Sequence, residues 1–168
     1  MIDKHIEQYG KRLYGLCVTL CAASPGSAEA DDLYQETWLK AVKHFSQYDA
    51  AREFEPWLTR ICVNTYRNTL RRIVRSPFFN AFSSNEEKDA VIRSVAASPP
   101  LDYSSLHQAV NELPQKLRLT LILFYFQDRD LKSTAETLGI PVGTVKSRLN
   151  KSKKLLKEAL ENETDIHF

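Results

Sequence analysis

The sequence predicts an all-α protein with two small helical domains joined by a linker, and three observations favour this fold class. Apolar residues recur at helical spacing along most of the chain, no strand pair or hairpin turn stands out, and a stretch rich in Pro and Ser interrupts the pattern near the middle. We expect the first domain at residues 1–75, the linker at 76–100 and the second domain at 101–162.

The composition is that of a soluble globular protein. Of the 168 residues 43% are hydrophobic and 26% are charged, and no apolar run reaches the length of a membrane span. The N-terminal segment lacks the apolar core and small-residue cleavage site of a secretory signal. We therefore expect a cytoplasmic protein.

The first domain is predicted to hold three helices. Apolar periodicity favours a helix at 6–20, which an Ala-Ser-Pro-Gly segment ends, and a second helix at 28–45. A loop is expected at 46–53. Pro56 then fits the start of a third helix, which extends to about Arg75.

The cysteines are expected to be buried apolar residues. Their odd number in a reducing compartment argues against a disulfide framework. Cys17 and Cys21 lie one helical turn apart and could hold a metal, but no supporting His or Cys follows, and Cys17 lies among leucines. We expect no metal site and no cofactor.

Charge is segregated along the chain although its net value is only +2. Residues 29–36 include four acids and no base, whereas residues 56–82 include five arginines and no acid. A phosphate backbone attracts the second segment and repels the first, so the two segments are predicted to bind different partners.

The acidic helix is predicted to bind a protein. Asp32, Gln35, Glu36 and Leu39 share one face by their spacing, and carboxylates beside an amide suit a partner that carries arginines. Asp32 and Glu36 could also act as a general acid and base, but no catalytic constellation supports this alternative. We expect no catalytic residues.

The third helix is predicted to have an apolar face and a basic, amide-rich face. Trp57 falls on the polar side, beside arginines and asparagines. Such a combination is typical of surfaces that hold unstacked bases along a phosphate track. The alternative is that Trp57 packs under a neighbouring helix and the arginines are solvated.

The second domain is predicted to contain a helix through Leu106 and Val110, a helix from Pro114 to Phe126, and then a helix-turn-helix. Asp130 is a candidate N-cap for the first helix of this last unit. Gly139 tolerates the left-handed backbone that ends it, and Pro141 fits the start of the next helix.

The second helix of this unit is predicted to contact duplex DNA. Its outer face carries hydroxyl, amide and cationic groups without an acid, which is what a helix in the major groove needs. The inward stripe is expected at Val142, Val145, Leu149 and Leu156. A solvated lysine-rich face is the alternative. The outer residues are Gly143, Ser147, Asn150, Lys151 and Lys154.

Three segments in this order resemble bacterial RNA polymerase sigma factors of the extracytoplasmic-function (ECF) group. They are AEADDLYQETWLKA, FEPWLTRICVNTYRNTLRR and LPQKLRLTLILFYFQDRDLKSTAETLGIPVGTVKSRLNKSKKLL. The resemblance implies sigma region 2 for the first domain and sigma region 4 for the second. It implies a subunit that binds core RNA polymerase and directs promoter-specific initiation of a stress or envelope regulon, and that is not itself an enzyme.

The resemblance also implies roles for individual residues. The helix that docks on the largest polymerase subunit would use Asp32, Gln35, Glu36 and Leu39. The surface that recognises and opens the minus-10 element would comprise Tyr48, Phe54, Trp57, Arg60, Asn64, Arg67, Asn68 and Arg71. The helix that reads the minus-35 element would use Thr144, Lys146, Ser147, Arg148, Asn150 and Lys151.

The partners implied by the resemblance are core RNA polymerase, promoter DNA and an anti-sigma factor, which in many relatives is anchored in the membrane. No small-molecule substrate is implied. The chain departs from the family where Lys132 and Ser133 replace two acids and where Phe124 replaces a common arginine. A stand-alone helix-turn-helix regulator is the alternative function, but it leaves the acidic helix and Trp57 unexplained.

Overall fold

The computed structural model describes residues 2–23, 25–75, 105–127 and 129–164. Every regular element within these ranges is a helix, which confirms the all-α prediction. The chain divides into two compact units, Met1–Ser98 and Pro99–Phe168. The predicted linker at 76–100 and the first residues of the second domain lie outside the described residues, so the proposed domain limits remain a prediction.

The first unit is built from three helices that pack against one another. They are α1 (Asp3–Cys21), α2 (Ala28–His44) and α3 (Phe54–Val74), and a 3₁₀ turn at Phe45–Gln47 continues α2. One apolar stripe from each helix forms the core, as the periodicity predicted. Its most deeply buried members include Leu16, Leu20, Leu58 and Val63.

The three cysteines lie in this core, as expected. Cys17 and Cys62 are 0% exposed and Cys21 is 5% exposed. The sulfurs of Cys17 and Cys62 are 3.8 Å apart, and all three thiols are free. The hydrogen bond with Cys62 and burial both raise the pKa of Cys17, so this residue is a neutral, unreactive thiol.

Helix α3 begins at Phe54, two residues before the predicted start at Pro56. The Phe54 ring is buried, at 3% exposure, and this packing draws the chain into the helix early. Pro56 then occupies the third position, where its missing N–H has no intrahelical partner to lose.

The second unit contains four helices in the described ranges: α4 (Ser105–Glu112), α5 (Gln115–Leu121), α6 (Leu131–Leu138) and α7 (Val142–Thr164). The helix predicted at 114–126 is shorter than expected, because its last part, Ile122–Phe126, forms a π-helical turn. The core draws on all four helices and includes Val110, Leu121, Ala135, Val145 and Leu149.

The predicted helix-turn-helix is formed by α6 and α7. The Asp130 carboxylate accepts a hydrogen bond from the Ser133 N–H at 2.6 Å, which confirms the N-cap. Gly139 ends α6 with φ of +66°, a left-handed conformation that favours glycine. Two short signals in the sequence therefore fix both ends of α6.

One inward position of α7 was predicted wrongly. Val142 is 38% exposed, whereas Val145 and Leu149 are buried as expected. Val142 stands in the first turn of α7, ahead of the stretch that packs on α5 and α6. None of the helices in the described ranges is both long enough and apolar enough to cross a membrane.

Candidate protein-docking and nucleic-acid surfaces

A groove of about 420 Å³ runs between α2 and α3, and we call it the docking groove. All four residues predicted to bind polymerase line it. Its other lining residues are Cys21, Glu29, Leu33, Tyr66, Thr69, Leu70, Arg72 and Ile73. The groove thus combines an acidic rim from α2 with apolar side chains from α3, which is the composition of a protein-binding surface.

Glu36 is held in place by two cations, of which Arg72 lines the groove and Lys40 does not. One carboxylate oxygen lies 2.8 Å from Lys40 Nζ and the other lies 3.8 Å from Arg72 Nη2. Lys40 also donates to the Thr65 hydroxyl at 3.2 Å. Because these groups are more than one-third exposed, the pairs are weak and can be exchanged for partner cations.

The other predicted docking residues are open to solvent. Asp32 and Gln35 are exposed, and Leu39 is 70% exposed, which is unusual for a large apolar side chain. Asp32 has no ion pair within the part of the chain that the structure describes. A carboxylate without a partner beside an exposed leucine suits a partner that offers both a cation and an apolar contact.

The loop between α2 and α3 is tied to itself by short-range hydrogen bonds. The Tyr48 hydroxyl donates to the Arg52 carbonyl, and one Asp49 carboxylate oxygen accepts from the Ala51 N–H at 3.0 Å. The Arg52 N–H donates to the Asp49 carbonyl at 2.9 Å. Burial and the nearby Tyr9 and Asp49 raise the pKa of Tyr48, so its hydroxyl stays a donor at neutral pH.

A cluster of aromatic rings lies beneath this loop, and Phe54 is its centre. We call it the ring cluster. Phe54 ring distances are 4.0 Å to His5, 5.3 Å to Tyr48, 5.3 Å to Trp57 and 5.4 Å to Tyr9. Trp38 and Phe45 complete the cluster at 6.4 Å. Since Phe54 is only 3% exposed, it supports the loop and offers little surface to a ligand.

Trp57 lies at the edge of this cluster and is half-buried. Its ring contacts Tyr48 at 5.1 Å, so the indole is fixed by the loop. Arg60, Asn64, Asn68 and Arg71 follow along α3 as exposed residues, and Arg67 is half-buried. We call Trp57 and this row the strand face. It places a fixed ring beside amides and guanidinium groups, which can stack a base and bind phosphates.

The outer side of α7 forms a third surface, which we call the recognition face. Lys146, Ser147, Asn150 and Lys151 are exposed, whereas Thr144 and Arg148 are half-buried. Val145 and Leu149 fix the opposite side of the helix in the core. This arrangement presents donors and cations on a rigid helix, as contacts to base edges and phosphates require.

Sequence reasoning missed two features of these surfaces. Arg72 was grouped with the basic segment, yet its side chain lies in the docking groove and pairs with Glu36. His5 and Tyr9 of α1 were given no role, yet both contact Phe54. Neither contact leaves a periodic signal, because each joins positions that are far apart in the sequence.

Family comparisons match both units. The family model of sigma-70 region 2 matches residues 5–76, and that of sigma-70 region 4 matches residues 103–156. The chain is 26% identical to the ECF RNA polymerase sigma factor SigW of Bacillus subtilis (strain 168) over 166 residues, covering 94% of this chain and 87% of that protein. It is 30% identical to the ECF RNA polymerase sigma factor EcfG of Rhodopseudomonas palustris (strain TIE-1) over 141 residues, covering 80% and 74%.

Two solved structures share the fold. One is the sigma factor RpoE in complex with the anti-sigma factor NepR from Bartonella quintana, with a TM-score of 0.74, 23% identity and coverage of 96% of this chain and 98% of that one. The other is CnrH in complex with the cytosolic domain of CnrY, with a TM-score of 0.64, 19% identity and coverage of 95% and 87%.

Proposed function

Because this chain belongs to the sigma-70 family of RNA polymerase sigma factors, within its ECF group, we propose that its three surfaces divide the work of promoter-specific initiation. As such a factor it binds core RNA polymerase and directs it to promoters. The polymerase synthesises RNA, and this chain recognises the promoter. We expect it to act in the cytoplasm, on a stress or envelope regulon.

The observation that carries the docking proposal is the convergence of four predicted residues on one groove. Asp32, Gln35, Glu36 and Leu39 line the docking groove together, so the same surface offers a carboxylate without an ion pair and an exposed apolar side chain. Partner arginines can replace Lys40 and Arg72 at Glu36 and form charge-assisted bonds that fix the register. We therefore assign the groove to core RNA polymerase.

The strand face is our candidate for opening the minus-10 element. Extrusion of a base from the duplex costs a few kcal/mol, least at an A·T-rich site, and stacking on a ring recovers about 1–3 kcal/mol per base. Trp57 offers a ring held in place by Tyr48, and Arg60 and Asn64 offer donors and charge further along the same helix. Capture of the displaced strand would then drive opening.

The recognition face is our candidate for the minus-35 element. The Ser147 hydroxyl donates to the Thr144 carbonyl at 3.0 Å, so its oxygen is offered to base edges as an acceptor, and Asn150 offers an amide. Lys146 and Lys151 present cations to bases or nearby phosphates. Thr144 and Arg148 are half-buried, so we assign them to the DNA backbone at the edges of this surface.

A stand-alone helix-turn-helix regulator is not favoured. Relatives align with both units, and such a regulator has no use for an acidic groove that repels DNA. We further propose an anti-sigma factor as the regulatory partner, which would hold the chain inactive, in some conditions at the membrane. The exposed Leu39 and Val42, at 70% and 52%, support a protein contact at α2.

Run-off transcription with purified core polymerase tests the proposal. We expect promoter-specific transcripts from genomic fragments only when this chain is added. A chain that yields no transcript from any fragment, yet binds duplex DNA alone, would instead be a stand-alone regulator.

A charge reversal in the docking groove tests the assignment of that surface. Glu36→Arg places a third cation beside Lys40 and Arg72 and removes charge-assisted bonds, so we expect core affinity to fall by about tenfold or more. A pull-down with core polymerase measures it. Glu7→Arg makes the same charge change at an exposed position of α1 and serves as the control. Equal core affinity for the two variants would refute the docking assignment.

A further inference from the structure

His5 lies in α1, outside the three sequence segments quoted for the resemblance, yet it contacts the centre of the ring cluster. Its imidazole stacks on the Phe54 ring at a centroid distance of 4.0 Å and an interplanar angle of 15°. The Tyr48 ring meets it edge-on at 6.3 Å and 77°. His5 therefore lies under the same loop that fixes Trp57.

The two nitrogens of His5 have different surroundings. Nδ1 is buried and has no hydrogen-bond partner within the described residues. Nε2 is not among the buried atoms without a partner, and the side chain as a whole is only partly buried. In the tautomer that carries its proton on Nε2, the N–H donor lies on the less enclosed side of the ring and Nδ1 is a bare acceptor.

A histidine that served only as a packing ring would be a poor choice here. Burial of an unpartnered polar atom is costly, and phenylalanine in the same stack would avoid that cost. What phenylalanine cannot supply is a donor at the less enclosed side of the ring. Histidine at this position therefore keeps an N–H donor at some cost in folding stability, a trade-off that is common in binding sites.

We infer that His5 is a further DNA-contacting residue of the minus-10 surface, whose Nε2–H donates to an acceptor on the nucleotide captured beside Tyr48 and Trp57. The inference rests on the proposed function, because it needs a captured strand. It extends the strand face from α3 to α1. The surface would then hold an unpaired nucleotide from two sides.

The test is the affinity of the full chain, bound to core polymerase, for a forked promoter fragment with a single-stranded minus-10 non-template strand. His5→Phe keeps the ring stack and removes the donor. We expect it to weaken binding by about three- to tenfold, the effect of one lost hydrogen bond, with an unchanged or higher melting temperature. Wild-type affinity in His5→Phe would overturn the proposal, since packing would then be the whole role of the ring.

Two further variants make the result specific. Tyr9→Phe removes a hydroxyl from the same cluster, and we expect it to bind the fork like the wild type. A fully duplex minus-35 fragment should bind His5→Phe normally, and an equal loss there would overturn the proposal by assigning the effect to the fold. Asn64→Ala tests the proposed function on which the inference rests. If Asn64→Ala weakens binding to the fork and His5→Phe does not, only the role of His5 is refuted. If neither variant weakens binding, the role of the strand face is refuted as well.

Discussion

The strand face of α3 and the recognition face of α7 carry similar polar side chains in different surroundings. Both offer amides and cations on a helix whose other side is buried. The strand face also has a half-buried indole fixed by neighbouring rings, whereas α7 contains no aromatic residue. Since aromatic rings stack on unpaired bases, this difference fits the proposed assignment of single-strand capture to α3 and duplex readout to α7.

The two surfaces also differ in how they are assembled. The signals that define the recognition face in the sequence are a cap, a glycine and a helical stripe within residues 130–157, although Val145 and Leu149 pack on a core that includes Val110 and Leu121. The strand face depends on contacts that α1, α2 and the loop make with Phe54. If the proposed roles are right, the surface for duplex readout is recognisable from a short segment, whereas the surface for strand capture is recognisable only from the packing of the whole first unit.

Loss of the ring at Trp57 should have the largest effect and should separate the two surfaces. Trp57→Ala removes the indole ring of the strand face, so we expect promoter opening to weaken by about 1–3 kcal/mol, the stacking of one base. Permanganate reactivity of the minus-10 bubble measures this. In this variant, closed complexes, in which the promoter is bound but still double-stranded, should still form through the recognition face.

Trp57→Phe is the matched control, because a smaller ring retains part of the stacking. We expect its opening to lie between the wild type and Trp57→Ala. Normal bubble reactivity in Trp57→Ala would contradict the role of the strand face, and a loss of closed complexes would show that the two surfaces are not separable.

The N-caps of the two units should respond differently to substitution. Asp130 accepts from the Ser133 N–H at 2.6 Å, whereas Ser27 accepts from the Ala30 N–H at 3.3 Å. Asp130→Ala also removes a negative charge from a helix N-terminus, so we expect a cost of about 1 kcal/mol or more and a smaller cost for Ser27→Ala. Amide hydrogen exchange measured by mass spectrometry should show a loss of protection in α6 and α7 for Asp130→Ala and no loss there for Ser27→Ala. An equal loss of protection in α1 and α2 of the Asp130→Ala variant would contradict a local role for this cap.

The helices and their faces were predictable because the signals for them are local. Asp130 and Gly139 mark the two ends of the same helix, and the buried stripe of α3 follows from the spacing of apolar residues alone. The start of α3 was missed by two residues because burial of Phe54 depends on rings from other helices. Where tertiary packing decides a boundary, proline position is a weaker guide.

The composition of the candidate sites was predictable, but their contacts were not. Spacing placed Asp32, Gln35, Glu36 and Leu39 on one face, and the structure brings them into one groove. Nothing in the sequence pairs Glu36 with Arg72, or His5 with Phe54, since these contacts span 36 and 49 positions. Such pairs arise only when helices pack.

The smallest expected effect concerns Lys151, which tests whether the recognition face contacts the phosphates of duplex DNA. Lys151 is exposed and has no ion pair within the described residues, whereas Lys157 lies further along α7 and approaches Glu161 at 3.8 Å. If Lys151 neutralises one phosphate, Lys151→Ala should reduce the slope of log affinity against log salt by about one, for any duplex sequence. Lys157→Ala should leave that slope unchanged. Fluorescence anisotropy with a minus-35 duplex at several salt concentrations measures both slopes. An unchanged slope in Lys151→Ala would mean that this lysine points away from the groove, and the recognition face would then have to be placed nearer the start of α7, around Lys146.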